Sequence, residues 1–344
     1  MSKYVPIHVH TSRNSVGDAT LKLNEYISKA KELGLDTLCI TGHGSLADMY
    51  DFYFECINNN IKPIIGCEIY LTPDMEDKTK DSKTYHMILL AKDNEGLKNL
   101  IDIVSIASLK GFYKKPRVDL NYIKDHSEGL ICTTACAGGM LPKYILEDNE
   151  ELIENHIEEL KEIFGANLYF EIQPGDFQEQ ITINNKLIEL SNKHQVPLVL
   201  TNDIHYLNEE DYIVHDYHVR LGRKVKAAED DSILYPDKCY WLMPYGRLIA
   251  SMSLYYKAII DEAVQNTIKI GQECNVSVEV KDLNLPEFEC PDNYTPRQYI
   301  EHLCYQRLDE IQYLIVDPNR YIDRMHFELD TLEELGFTSY MLIM

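Results

Sequence analysis

Positive charge is scarce in this sequence: 33 Lys and Arg face 56 Asp and Glu, a formal net charge of −23 at pH 7. Proteins that clamp nucleic acid over a broad face draw most of their non-specific affinity from neutralised phosphates. Any nucleic acid here must therefore be held locally, by metals and a few basic side chains, or by a partner. The acidic balance otherwise describes a solvated surface. A membrane-length apolar run is also missing, and the opening MSKYVPIHVHT has no signal-peptide core, which predicts a cytoplasmic chain without a membrane partner. The nine cysteines form no C-x-x-C pair. An odd number without a secretory signal predicts reduced thiols, not a disulfide framework. Internal repeats and low-complexity tracts are absent.

What is there is an ordinary globular composition, 45% hydrophobic and 26% charged over 344 residues, enough for a sizeable core. Strand-like and helix-like segments alternate through the first two hundred residues. Strands are predicted at Tyr4–His8, Thr37–Thr41, Lys62–Leu71, Tyr85–Ala91, Gly129–Thr134, Leu168–Gln173 and Val196–Thr201. Helices are predicted at Leu21–Leu33, Leu46–Asn59, Glu95–Leu109, Glu150–Phe164 and Glu179–His194. That alternation predicts an α/β fold with a mostly parallel sheet, closed as a distorted (β/α)7 barrel. Arg220–Ser251 reads as irregular, Leu254–Cys274 as a helix and Asn284–Tyr294 as a linker. Pro296–Leu314 and Tyr321–Leu335 read as helices, and Phe337–Met344 as an apolar run without a cap. The domain division expected is 1–280 for the barrel and 281–344 for a linker with helical segments.

Residues suited to metals fall at the strand ends. His8 and His10 follow the first strand, two apart, so an extended backbone turns both imidazoles to one face. His43 follows the second strand, Glu68 lies in the third, Cys136 follows Gly129–Thr134, and Asp203 and His205 close the last. Chemistry in α/β barrels gathers at the C-terminal strand ends. His86 is the exception, preceding its apolar run, so that strand must run the other way or bend. Histidines and carboxylates with one thiolate suit zinc or manganese, with iron as a further option, and not the all-oxygen ions magnesium and calcium. Such ions serve phosphoester cleavage. Cys67 and Cys132, in apolar strands, read as core residues; Glu171 reads as facing the barrel mouth or, equally, as a salt-bridge member. His215 and His218 could extend the site, and Arg220, Arg223, Lys224 and Lys226 are the best local candidates for a phosphate contact.

At these positions the sequence resembles the PHP (polymerase and histidinol phosphatase) family and, more closely, the N-terminal part of bacterial C-family replicative polymerases, the DNA polymerase III alpha subunits. The similar stretches are His8-Val-His-Thr11, Ala30–Gly34 leading into Ile40–Gly44, Lys62–Glu68, and His86–Ala91 with Asn94–Leu100. Phe170–Gln173, Thr201–Tyr206 and Leu335–Ile343 complete them. The resemblance implies nine metal ligands, His8, His10, Asp18, His43, Glu68, His86, Cys136, Asp203 and His205, holding two or three divalent ions. It implies catalytic roles for Asp203, His205, His10 and His43. One departure stands out: the family usually has Asp before His43, and here the residue is Gly42. Loss of an orienting carboxylate would weaken metal binding; loss of a ligand would idle the site.

The resemblance further implies that residues 281–344 lead into a polymerase palm whose nucleotide-binding loop and catalytic aspartates follow residue 344. The chain alone then cannot extend a primer and is a fragment or a split gene product. The expected activity is metal-dependent phosphoester hydrolysis, as a 3′–5′ proofreading exonuclease acting on a single-stranded DNA end, with the remaining polymerase domains as partners. Two alternatives compete with it. One is a degenerate scaffold that steadies the polymerase and docks a separate exonuclease; the other is a stand-alone small-molecule phosphatase.

Overall fold

The structure, a computed structural model, describes residues 3–226, 233–280 and 286–344. Two compact units divide it, Met1–Val278 and Glu279–Met344. In the first, a seven-stranded sheet comprises β1 (Thr37–His43), β2 (Lys62–Leu71), β3 (Tyr85–Ala91), β4 (Arg117–Val118), β5 (Leu130–Thr133), β6 (Leu168–Ile172) and β7 (Leu198–Leu200). The order is β1-β2-β3-β5-β6-β7, with β4 paired to the far end of β2. Pairings are parallel except that β3 runs antiparallel to both β2 and β5. His86 thereby reaches the same rim as the C-terminal ends of the other strands.

Tyr4–His8, predicted as a strand, is extended but pairs too sparsely to count as one. It still joins the two edges of the curled sheet: Thr41 N donates to Val9 O at 2.8 Å, and His10 N donates to Ile204 O at 2.8 Å. The seventh strand is instead the unpredicted pair Arg117–Val118, too short for a periodic signal.

Alternation along the strands sets one inner face. Its lower half is an apolar plug of Cys39, Ile64, Ile88, Leu90, Ile131, Tyr169 and Val199, closed by Ile270 and Cys274 at the end of the helix Lys257–Glu273. Two steps further along the same faces stand His43, Glu68, His86, Glu171 and Asp203. Outward-facing Leu38, Ile40, Ile65, Leu89 and Phe170 pack under the surrounding helices.

The helices predicted before residue 200 form within three residues of their expected bounds. Asp93 caps Asn94–Leu109 by accepting from Gly96 N, and Gly34 ends Leu23–Leu33 in the left-handed region. Arg220–Ser251 is less irregular than predicted, since helices Tyr212–Arg223 and Tyr245–Ser251 occupy its ends; residues 227–232 of that stretch lie outside the described residues. The short helices Leu120–Asp125 and Met140–Leu146 were not predicted, being under two or so turns. In the second unit, Thr295 caps Pro296–Ile311 in a reciprocal box with Gln298. Arg297 ties that helix to Pro318–Glu334 through Asp330 at 2.7 Å. Thr338–Ile343 forms a short last helix. Residues 284 and 285 of the expected linker lie outside the described residues.

Candidate metal centre

All nine candidate ligands meet at one end of the curled sheet. Ligands roughly 2.0–2.3 Å from a zinc ion lie about 3–4 Å from one another, and the side chains reproduce that spacing. His8 Nε2 lies 3.1 Å from His10 Nε2 and 3.0 Å from Asp203 Oδ1, and His10 Nε2 lies 3.2 Å from Asp203 Oδ1. Beside them, His86 Nδ1 is 2.8 Å from Glu68 Oε1 and 3.5 Å from Cys136 Sγ. A third grouping joins His10, His43 and His205. Asp18 Oδ2 spans its outer side, 2.8 Å from His43 Nε2 and 3.5 Å from His205 Nε2.

The decisive feature is what these atoms do not do. His43 Nδ1 and Glu68 Oε2 approach to 2.5 Å, and Asp203 Oδ1 sits between two histidine nitrogens, yet all three atoms are buried without a hydrogen bond of acceptable geometry. Buried polar atoms left so are costly and rare. Lone pairs converging on shared points, in a mixed imidazole, carboxylate and thiol set, fit divalent transition ions.

The imidazoles are aimed from behind. His8 Nδ1 is 2.6 Å from Glu171 Oε1, His10 Nδ1 is 2.9 Å from Ser15 Oγ, and His205 Nδ1 is 2.7 Å from the carbonyl of Asp203. Each ring thus engages its Nδ1 outside the centre and turns Nε2 inward, which fixes the tautomer a metal requires. Glu171 is itself held by Thr201 Oγ1 at 2.6 Å, Gln173 Nε2 at 2.8 Å and the hydroxyl of Thr133. It forms the salt bridge that the sequence allowed for, buried and with His8. Asp203 adopts a left-handed backbone, φ 49°, a strained state that surrounding structure must impose. Here His8 O and His10 N clamp Ile204 on its far side.

Without ions, protons supply the balancing charge. Burial opposes the charged form of His8, but Asp203 and Glu171 outweigh it and raise its pKa well above the usual histidine value. Burial opposes charge on His43 likewise, and Glu68 and Asp18 still lift it to about 9. At His10 burial, with repulsion from His43 and His205, outweighs Asp203 and Glu68 and pushes the pKa down to about 3. Burial would raise Glu68 and Asp203, yet His86 and His43 hold the first, and His8 and His205 the second, well below the carboxylate range. Burial, with Asp203 and Glu68, keeps the Cys136 thiol protonated well above its usual range.

The PHP domain pattern matches residues 6–175. These residues are a PHP domain. Over nearly its whole length the chain is also similar to DNA polymerase III subunits alpha. It is 33% identical to that of Borreliella burgdorferi over 99% of this chain and 30% of the relative, and 33% identical to that of Aquifex aeolicus over 100% and 31%. The chain spans about 30% of the length of these relatives. Among solved structures, an amidohydrolase of Chromobacterium violaceum is 14% identical over 72% of this chain and 96% of that one, with a TM-score of 0.41, a likeness too slight to carry weight.

Gly42 does not open a hole in this PHP domain. A Cβ there would lie 2.1 Å from Asn14 Cγ, so the Asn14 side chain occupies the space beside Gly42. Asn14 Nδ2 donates to Asp48 Oδ1 at 2.6 Å, and Asn14 Oδ1 accepts from Thr11 N at 3.1 Å. A buried Asn14–Asp48 pair thus anchors the loop that carries Ser15 and Asp18.

Of the other candidates, His215 is buried but turns Nε2 to the Asp18 carbonyl at 2.8 Å, which steadies the loop and adds no ligand. Cys67 and Cys132 are core residues. The basic cluster divides. Arg220 is buried against Asp216 at 2.6 Å and bonds the Lys226 carbonyl, whereas Arg223 faces the cavity above the centre. Sequence reasoning missed Tyr235, whose hydroxyl donates to Asp18 Oδ1 at 2.8 Å; nothing in its local sequence marks it.

Proposed function

We propose that this PHP domain binds two or three divalent ions through His8, His10, Asp18, His43, Glu68, His86, Cys136, Asp203 and His205 and hydrolyses phosphoesters, as a 3′–5′ exonuclease on single-stranded DNA. The observation that carries the reading is the trio of buried, bondless ligand atoms on His43, Glu68 and Asp203. A docking scaffold that holds no metal has no need of that convergence, and the cavity above it favours a reacting site. The likeness to DNA polymerase III subunits alpha supports a place in replication, beside the remaining polymerase domains.

When bound, the ions would supply positive charge to the phosphoryl oxygens and acidify water to a pKa of about 7. Residues of the chain divide the remaining work. His8 and His10, fully buried behind the cavity, serve as ligands alone. His43 and His205 line the cavity, so an ion they hold would face the entering phosphoryl group. Asp203 lies within reach of both His8 and His205 and orients the two against each other.

The test pairs elemental analysis with digestion of a labelled single strand and of p-nitrophenyl phosphate in manganese. Two or three ions per chain, with 3′ trimming abolished by the double variant Asp203→Asn, His205→Asn, is the expected result. Full trimming by that variant refutes the assignment. Low metal content with no cleavage returns the domain to a scaffold role.

A further inference from the structure

The centre opens into a cavity of about 430 Å³, a volume suited to one small ligand or a terminal nucleotide. Three cations, Lys115, Lys143 and Arg223, line it in an otherwise acidic chain, and two of them sit on aromatic rings. Lys115 Nζ lies 4.1 Å from the centroid of the Tyr70 ring, and the Arg223 guanidinium lies 5.5 Å from that of Tyr235. Tyr70 in turn stacks on His43, centroids 5.8 Å apart, and Tyr235 bonds Asp18. Each of these two cations is therefore seated on a ring that touches a candidate ligand.

Their mounting is rigid. Lys115 sits on a tight turn in which Tyr113 N donates to Lys115 O at 3.1 Å and Lys114 takes φ 64°. The next residue, Pro116, packs so closely on Gly44 that a Cβ there would lie 2.7 Å from its ring. Arg117 after it is fully buried and donates to Gly111 O at 3.2 Å and Asp77 O at 3.0 Å. Arg223 ends a helix whose Gly222 rides directly on Gly17, where a Cβ would lie 2.5 Å from Gly17 O. Among the described residues Lys115 has no ion-pair partner, and the only carboxylate near Arg223 is Asp18 at 3.7 Å. Charge mounted on fixed backbone at the rim of the cavity, without a full partner among the described residues, is placed for an anion.

We infer that Lys115 and Arg223 form a clamp for the non-bridging oxygens of a phosphodiester, so that the substrate is an unpaired strand presenting one terminal nucleotide. This rests on the hydrolytic reading above, but its test does not need turnover. Binding of a dye-labelled, phosphorothioate-linked oligothymidylate is measured by anisotropy in manganese across a salt series. The proteins are the wild type, Lys115→Ala, Arg223→Ala and, as a distant control, Lys98→Ala, with metal content checked in each. The clamp requires roughly 10-fold weaker binding in each cavity variant and a salt slope shallower by about 0.7 per lost cation, with metal content and the control unchanged. Wild-type affinity and slope in either cavity variant, or no binding by the wild type, overturns it. Binding that fails in the variants while the wild type never cleaves overturns hydrolysis and leaves the clamp standing.

Discussion

Glu171 offers the sharpest test of how the centre is built, because it touches no ion yet aims one of the ligands. Replacing it with Gln keeps its shape and its acceptor toward His8 Nδ1, 2.6 Å away, and lets Thr133 and Thr201 turn their hydroxyls to suit. What goes is the negative charge that makes His8 a stronger donor at Nε2. Partners of this kind are worth roughly 10- to 100-fold in metal affinity, about 1.4–2.8 kcal/mol. A second effect opposes it. The same charge, with Asp203, raises the His8 pKa in the metal-free protein, so the wild type must expel a proton to bind metal and the variant does so more easily. The two effects separate with pH. At neutral pH the proton cost masks part of the loss; as the pH rises, that cost fades for the wild type and the full deficit appears. Zinc affinity measured by competition with a chelating dye from pH 6.5 to 9.5 should therefore rise more steeply for the wild type than for Glu171→Gln. Equal affinities at the alkaline end, with the variant folded by circular dichroism, would refute the claim that Glu171 works through His8.

The metal-free protein should lose stability as the pH rises from about 6.5 to 9, because His43, raised to about 9, contributes while protonated in the fold and stops doing so across that window. The depressed Glu68 and Asp203 contribute only above the ordinary carboxylate range and are constant there, so melting in chelator should fall with pH while the metal-loaded protein holds level. Gly42→Ala places a carbon 2.1 Å from Asn14, which should cost about 1–3 kcal/mol in denaturant titration; adding Asn14→Gly removes the clash but unpairs the buried Asp48, so stability should not return. Cys136→Ser should weaken zinc more than manganese in parallel titrations, since the hard hydroxyl replaces a thiolate beside His86 and Glu68; equal losses would place Cys136 outside the coordination sphere.

The fold was legible where periodicity runs long. The strand Lys62–Leu71 and the helix Glu150–Phe164 match their sequence bounds to the residue, while Arg117–Val118 and Met140–Leu146 were too short to announce themselves. The reversed β3 was signalled only by His86 standing on the wrong side of its apolar run. The clustering of the candidate ligands was legible because chelating residue types gather at strand ends, and the resemblance supplied Asp18, which lies in a loop. Glu171 carried a signal of its own. It follows Tyr169 by two residues and precedes Gln173 by two, and that alternation puts all three on the inner face, where a carboxylate must have a partner. Tyr235 had none, since it reaches Asp18 from 217 residues away.

Gly42 shows why a departure from a family pattern has to be read in three dimensions. In one dimension it is a lost carboxylate next to a ligand. In the fold, the missing side chain is what admits Asn14, and Asn14 brings with it Asp48, buried and hydrogen-bonded to Thr11 and Asn14. Thr11 follows His10, and Ser15 on the same loop meets His10 Nδ1 and lies 3.4 Å from the amide of His43. A carboxylate thus still braces the two histidines from outside the centre, supplied from the start of the helix Met49–Asn58 instead of from the strand.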